Sequence, residues 1–249
     1  METQYWKEYS PSLNRDMEMK RWGHSGRPFL FIPCQNGRFY DFENYHMTDV
    51  FADWINEGRC MVYAVDTIDE ETWSSDADPA WRAWRHEQWM HFLFDEIAPF
   101  VRDETNALNG WTGFPGIIAF GCSLGATHAA NLFLRRPDLF DGLLALSGIY
   151  TASYGFGNYM DENVYRNSPV DYIGGMSPDH PFIQAYNRNR GIIVCGQGPW
   201  EVPDTSFQLR DMFAQKNIGV WVDIWGYDSA HDWDWWYAQT AYHLPHLLD

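Results

Sequence analysis

The stretch 117-IIAFGCSLGATHAANLFLRR-136 decides the fold of this chain. Its first four residues form an apolar run with adjacent isoleucines, the pattern of a strand buried on both faces. From Leu124 onward small and apolar residues, among them Ala126, Ala129 and Ala130, recur at helical spacing. Between strand and helix lies Gly121-Cys122-Ser123-Leu124-Gly125, a G-x-S-x-G sequence. Glycines are needed there because the turn forces strained dihedrals and brings the two backbones close together. Such a turn lifts a serine hydroxyl to the top of a sheet, beside a helix N-terminus whose N–H groups stabilise a developing oxyanion. Ser123 is therefore the expected nucleophile, with the Leu124 N–H as the first oxyanion donor. Cys122 sits one position off the centre of the turn. An ordinary Gly-Ser loop would share the five letters but not the strand before and the helix after.

Working outward, strands and helices alternate. Upstream, residues 28–34 (PFLFIPC) read as a buried strand. A helix over 47–57 follows, with Met47, Val50, Phe51, Trp54 and Ile55 on one face and Gly58 ending it. Residues 60–66 (CMVYAVD) form the next strand. A long helix is expected at 81–104, with Pro99 placed to bend it. Downstream, strands are expected at 143–146, 191–195 and 220–225, and helices at 205–216 and 233–247. Residues 149–190, irregular and rich in Tyr, Asn and Gly, read as a cover segment over the site. The alternation implies one α/β domain over 1–249, a mostly parallel central sheet with helices on both faces.

A hydroxyl nucleophile needs a histidine base that is itself oriented by a carboxylate, in the chain order Ser, acid, His for this kind of turn. Four histidines follow the Ser123 helix. His180 falls in the cover segment, and His243 and His246 in the terminal helix. His231 lies in a short loop after the last strand and is the expected base. The acid should follow the strand 191–195, where Glu201 and Asp204 lie. Asp204 precedes Thr205-Ser206 at a helix start and reads as an N-cap; Glu201 has no such local task and is the expected acid. Asp228 is a weaker third candidate. The second oxyanion donor should come from Cys34-Gln35-Asn36-Gly37, with the Gln35 N–H preferred. Aromatics flanking these loops, namely Trp200, Tyr227, Trp233 and Tyr150, are expected to line a pocket for an apolar or aromatic group.

His86 and His91 invite a metal reading. Spacing by five puts them roughly 140° apart around a helix, whereas a shared ligand face needs spacing by four. A solvated helix face is expected instead, and no metal or other cofactor is called for. The four cysteines lack C-x-x-C spacing and read as free thiols.

Composition sets the outer bounds. At 249 residues with 45% hydrophobic and 20% charged side chains, the chain can bury a sizeable core without a disulfide staple. Its net charge of −17 repels phosphate backbones and anionic lipid, so nucleic-acid and membrane partners are disfavoured. The polar opening, residues 1–21, lacks the apolar core of a signal peptide, so a cytoplasmic protein is expected. Oligomeric state is left open, a homo-oligomer included.

Three further stretches carry a family resemblance: Tyr9–Met17 (YSPSLNRDM), Glu96–Val101 (EIAPFV), and Arg136–Phe140 (RPDLF) followed by Leu146-Ser147-Gly148. With the G-x-S-x-G turn they resemble the esterases of the group containing esterase D, the mycolyltransferases, enterochelin esterases and feruloyl esterases. The resemblance implies the α/β-hydrolase fold and cofactor-free cleavage of small-molecule carboxylic esters through an acyl-enzyme. Gly198-Pro199-Trp200-Glu201 is similar to the Gly-x-x-Glu of the enterochelin branch, which favours Glu201 as the acid. The His-Gly dipeptide usual after the oxyanion strand is here Pro33-Cys34-Gln35. Transfer of the acyl group to an alcohol, or mere binding on the same fold, are the rival readings.

Overall fold

The computed structural model describes residues 1–249 and has an eight-stranded sheet at its centre. The strands are β1 (Thr3–Ser10), β2 (Arg15–Trp22), β3 (Arg27–Ile32), β4 (Cys60–Val65), β5 (Ile117–Cys122), β6 (Phe140–Leu146), β7 (Arg190–Cys195) and β8 (Trp221–Ile224). Their spatial order is β1-β2-β4-β3-β5-β6-β7-β8. The pairs β1/β2 and β2/β4 are antiparallel; every other neighbouring pair is parallel.

The continuous apolar runs follow from burial on both faces. Side chains alternate along a strand, so β5 sends Ile117 and Ala119 into one core and Ile118, Phe120 and Cys122 into the other. The same alternation divides β3 into Leu30 and Ile32 against Phe29 and Phe31. The first face is covered by α1 (Pro79–His91), α2 (Ala98–Asn109), α3 (Leu124–Arg135) and α4 (Asp204–Lys216), through residues such as Trp89, Val101, Ala130 and Leu209. The second is covered by α5 (Trp233–Leu248) and by short helical turns bearing Phe42, Met47, Phe51 and Ile55. The strand tops on which a site can be built therefore converge around β5, near the middle of the sheet.

Several expectations are corrected. The single helix at 47–57 is instead the short helices Met47–Val50 and Ala52–Asn56, preceded by His46 in a left-handed conformation (φ 57°). The long helix at 81–104 is interrupted by a π-helical segment, Phe92–Ile97, immediately before Pro99. Proline has no N–H to give to the carbonyl four residues back, and the wider turn accommodates that loss. The cover segment is not irregular: it holds four short helices, Ser153–Phe156, Glu162–Arg166, Pro169–Gly175 and Pro181–Arg188. Tyr9–Met17 spans the end of β1, the hairpin turn and the start of β2.

His86 does not belong to a solvated face. It is buried, accepts the Trp73 Nε1–H at 3.3 Å, and lies with its ring centroid 5.0 Å from that of His128. Burial first, then the neighbouring His128, holds its pKa well below the usual histidine value. His91 is exposed and pairs with Asp95 at 2.9 Å. All four cysteines are free thiols, three of them buried. No helix is long and apolar enough to cross a membrane.

Candidate active site

Ser123 sits between β5 and α3 with φ 57° and ψ −128°, a conformation L-residues rarely adopt. Two contacts enforce it. The Ser123 N–H donates to Leu146 O at 2.8 Å, holding the turn to β6. The flanking glycines let α3 press against the sheet: a Cβ on Gly121 would sit 2.3 Å from Gly125 O, and one on Gly125 2.2 Å from Ile32 O. No side chain larger than hydrogen fits either place without moving backbone.

His231 lies in the loop between β8 and α5, which is tied to the loop after β7 by its own N–H to Pro199 O at 3.0 Å. Its Nε2 is 2.9 Å from Ser123 Oγ and its Nδ1 3.3 Å from Glu201 Oε2. The edge of the ring meets Trp236, centroids 5.0 Å apart and planes at 81°. Glu201 follows Trp200, which carries a left-handed φ of 67°, and its carboxylate is fully buried. Oε1 accepts the Ser147 Oγ–H at 2.6 Å and the Gly196 N–H at 3.1 Å. Burial pushes this carboxyl upward in pKa, but hydrogen bonds from His231 and Ser147, the His231 charge and the Gly196 N–H outweigh it. The net result lies below the usual carboxylate value.

The structure thus brings Ser123, His231 and Glu201 into one hydrogen-bonded line. It leaves the other candidates elsewhere. Asp204 is exposed at the first position of α4; the N-cap is Pro203 and no side chain caps the helix, so the capping role expected for Asp204 is not found. Asp228 is exposed. The His180 ring accepts the Phe182 N–H at 3.2 Å, and His243 pairs with Asp223 at 3.1 Å. The N–H groups of Leu124 and Gln35 have no acceptor within the protein, and both residues line the cleft that contains Ser123 and His231.

That cleft is small, about 140 Å³. Besides the reacting groups its walls are Thr127, Ser147, Ile149, Tyr154, Trp200 and Val202. Of the four aromatics expected to line it, only Trp200 does. Tyr227 is 79% exposed because its loop turns outward beyond β8. Trp233 stacks on Tyr45 with centroids 4.5 Å apart, and Tyr150 points into the core, fully buried. In the sequence Ser147 carried no site role, and Trp236 was only one of several tryptophans flanking the expected acid and base. Ser147 (φ 57°) takes the Trp236 Nε1–H at 3.0 Å while giving its own proton to Glu201, so it links β6, α5 and the acid. The signal available was its place at the carboxyl end of the strand beside the nucleophile strand, where ligand sites in α/β sheets lie.

Comparisons with known proteins bear on the family and the fold. The family model described as "Putative esterase" matches residues 10–225, and the chain belongs to that family: it is an esterase of the α/β-hydrolase class. Among solved structures it is similar to a ferulic acid esterase (TM-score 0.75, 15% identity, covering 99% of this chain and 98% of that one). It is also similar to an S-formylglutathione hydrolase from Agrobacterium tumefaciens (0.73, 12%, 99% and 95%). A third is a fluorophosphonate-binding serine hydrolase of Staphylococcus aureus (0.70, 12%, 100% and 98%). At these identities the likeness is one of fold. A search of curated proteins gave no match.

Proposed function

We propose that this chain hydrolyses carboxylic esters of small molecules through an acyl-enzyme on Ser123, with His231 as general base and Glu201 as its orienting acid. The observation that carries the reading is the line Ser123 Oγ–His231 Nε2 at 2.9 Å and His231 Nδ1–Glu201 Oε2 at 3.3 Å. In the first half-reaction Ser123 Oγ attacks the ester carbonyl while its proton passes to His231 Nε2. Glu201 holds the tautomer that leaves Nε2 free and stabilises the imidazolium. The Leu124 and Gln35 N–H groups, unbonded within the protein, take the oxyanion. Collapse breaks the ester C–O bond, and His231 returns the proton to the leaving alkoxide. Water then repeats the sequence on the acyl-enzyme, releasing the acid and restoring Ser123.

The cleft volume of about 140 Å³ suits a short acyl group against Thr127, Ile149 and Val202, with the alcohol portion emerging past Trp200 and Tyr154. A panel of chromogenic aryl esters of increasing acyl length tests this, run with wild type and Ser123→Ala. Turnover that peaks at short acyl chains and falls by at least about a thousandfold in Ser123→Ala is expected. Retention of a tenth of wild-type kcat by Ser123→Ala would remove Ser123 from the mechanism.

A further inference from the structure

The oxyanion loop is a turn closed by the Gly37 N–H to Cys34 O at 2.8 Å, and it is also tied to a neighbouring segment of the chain. Gln35 and Asn36 follow β3 in a turn where Asn36 takes a left-handed φ of 59°, a conformation that costs an L-residue energy unless its surroundings impose it. Outside the turn itself, the residue that holds it is Asp69, from the chain beyond β4. Asp69 is 2% exposed; its Oδ2 accepts the Asn36 N–H at 3.1 Å and its Oδ1 lies 3.1 Å from His128 Nε2. His128 is on α3, five residues after the nucleophile, fully buried and packed between the Trp73 and Trp89 rings. A second tie comes from Ser74, whose own N–H donates to Asp69 O at 2.8 Å. The Ser74 hydroxyl accepts from Gln35 Nε2 at 2.7 Å and donates to Asn36 Oδ1 at 2.9 Å.

We infer that Asp69 is a positioning residue for the oxyanion donor, linking the Gln35–Asn36 peptide to the helix that carries Ser123 through His128, with Ser74 clamping the two side chains. The inference rests on the ester-hydrolase reading above and adds a means by which the two donor N–H groups stay in register. Leu124 is rigidly attached to α3; Gln35 is on a different element. The Asn36 N–H belongs to the peptide that follows Gln35, so fixing it fixes the backbone turn from which the Gln35 N–H points. Through His128 that turn is referred to the same helix as Leu124 and Ser123. A donor misplaced by a fraction of an ångström loses most of its worth to the transition state and little of its worth to bound substrate.

The chemistry of the link makes it testable with an isosteric change. A carboxylate accepts from both Asn36 N–H and His128 Nε2–H. The amide of Asp69→Asn has one acceptor oxygen and cannot serve both. Nor can His128 shift its proton to Nδ1 without cost, since that atom is buried and has no partner. The experiment compares an aryl ester with the thionoester of the same acyl and alcohol groups, in wild type, Asp69→Asn and Ser74→Ala. The sulfur of the tetrahedral intermediate is a poor hydrogen-bond acceptor, so the thionoester reports the rest of the machinery with the oxyanion contribution muted.

Expected for Asp69→Asn is a fall in kcat of about 10- to 100-fold on the oxygen ester, below the loss for an oxyanion donor removed outright. KM should stay within about twofold, and the thionoester rate should fall much less. Ser74 is exposed, so Ser74→Ala keeps the fold, and it should narrow the oxygen-to-sulfur rate ratio in the same direction by a smaller factor. An unchanged ratio in Ser74→Ala, or equal losses on both esters in Asp69→Asn, overturns the positioning role. A wild type that cleaves neither ester overturns the hydrolase reading itself, which is a different result.

Discussion

Glu201 and Asp204 lie three residues apart, and the difference between them is decided by where each chain direction points its side chain. Glu201 ends a tight turn, its N–H bonded to Gly198 O at 3.2 Å, and is driven inward to Ser147 and His231. Asp204 begins α4 and faces solvent. Glu201→Gln should therefore lower kcat by orders of magnitude, because the amide can present its N–H side to His231 and favour the wrong tautomer. Asp204→Ala should keep turnover and cost only the interaction of an exposed carboxylate with the helix dipole, about 0.3–1 kcal/mol. The pair of kcat values and denaturant midpoints checks both. A pH signature accompanies Glu201. Its folded pKa lies below the ordinary 4.5, so the unfolded chain takes up the proton first as pH falls. The stabilisation is present above the ordinary value and is lost as pH falls through the depressed folded one. Denaturant midpoints measured down the acid limb should show that loss in wild type and a shallower one in Glu201→Gln. Ser123 and His231 were legible as candidates because each follows a strand in a fixed chain order, whereas Glu201 was separated from Asp204 by a capping role that the structure does not show and by the Gly-x-x-Glu resemblance. The roles of Ser147 and Trp236 were not legible, because they lie in a hydrogen-bonded chain, Trp236 to Ser147 to Glu201, that exists only once β6, α5 and the loop after β7 meet.

At the level of elements, the strand–turn–helix around Ser123 is the best-specified part of the molecule. Gly125→Ala tests this directly. Its Cβ would fall 2.2 and 2.3 Å from the Ile32 and Pro33 carbonyl oxygens, and backbone must move to make room. A loss of about 1–3 kcal/mol is expected, as for other overpacked sites, read as a lower denaturant midpoint with unchanged slope. An Ala variant as stable as wild type would mean α3 is not pressed against β3 as described. The buried strands were legible for the reason that makes them strands: covered on both faces, they show as apolar runs. The edge strand β1 and its neighbour β2 were legible only through a family likeness, since seven of the eight β1 residues remain outside the core and the run carries mixed charges. The π-helical segment before Pro99 was half legible. Proline marked the position, but whether a helix bends, breaks or widens there is decided by the packing of Phe92, Leu93 and Phe94 into the core.

Across the whole molecule, two cores on opposite faces of one sheet hold the loops after β3, β5, β7 and β8 in fixed relation, and the site is assembled from those loops. The cores also contain titratable groups kept neutral. His86 and His243 are held below the ordinary 6.5, by burial first in each case. As pH drops past that value the unfolded state binds protons that the folded state refuses, so stability must fall with pH in that window. Thermal melts from about pH 8 to about pH 5 should show a declining Tm well before the carboxylates titrate. A flat profile there would contradict the neutral buried imidazoles. None of this was visible in the sequence, where His86 looked like a residue of a solvated helix face.

The most direct measurement is mass spectrometry of the intact protein and its peptides after exposure to an aryl phosphonate that phosphonylates activated serines. One adduct per chain is predicted, on the peptide containing Ser123, with loss of esterase activity in proportion. It should be absent in Ser123→Ala and slowed by orders of magnitude in Glu201→Gln, whose His231 is no longer correctly oriented. Labelling at another residue, or full esterase activity in protein wholly modified at Ser123, would contradict the account.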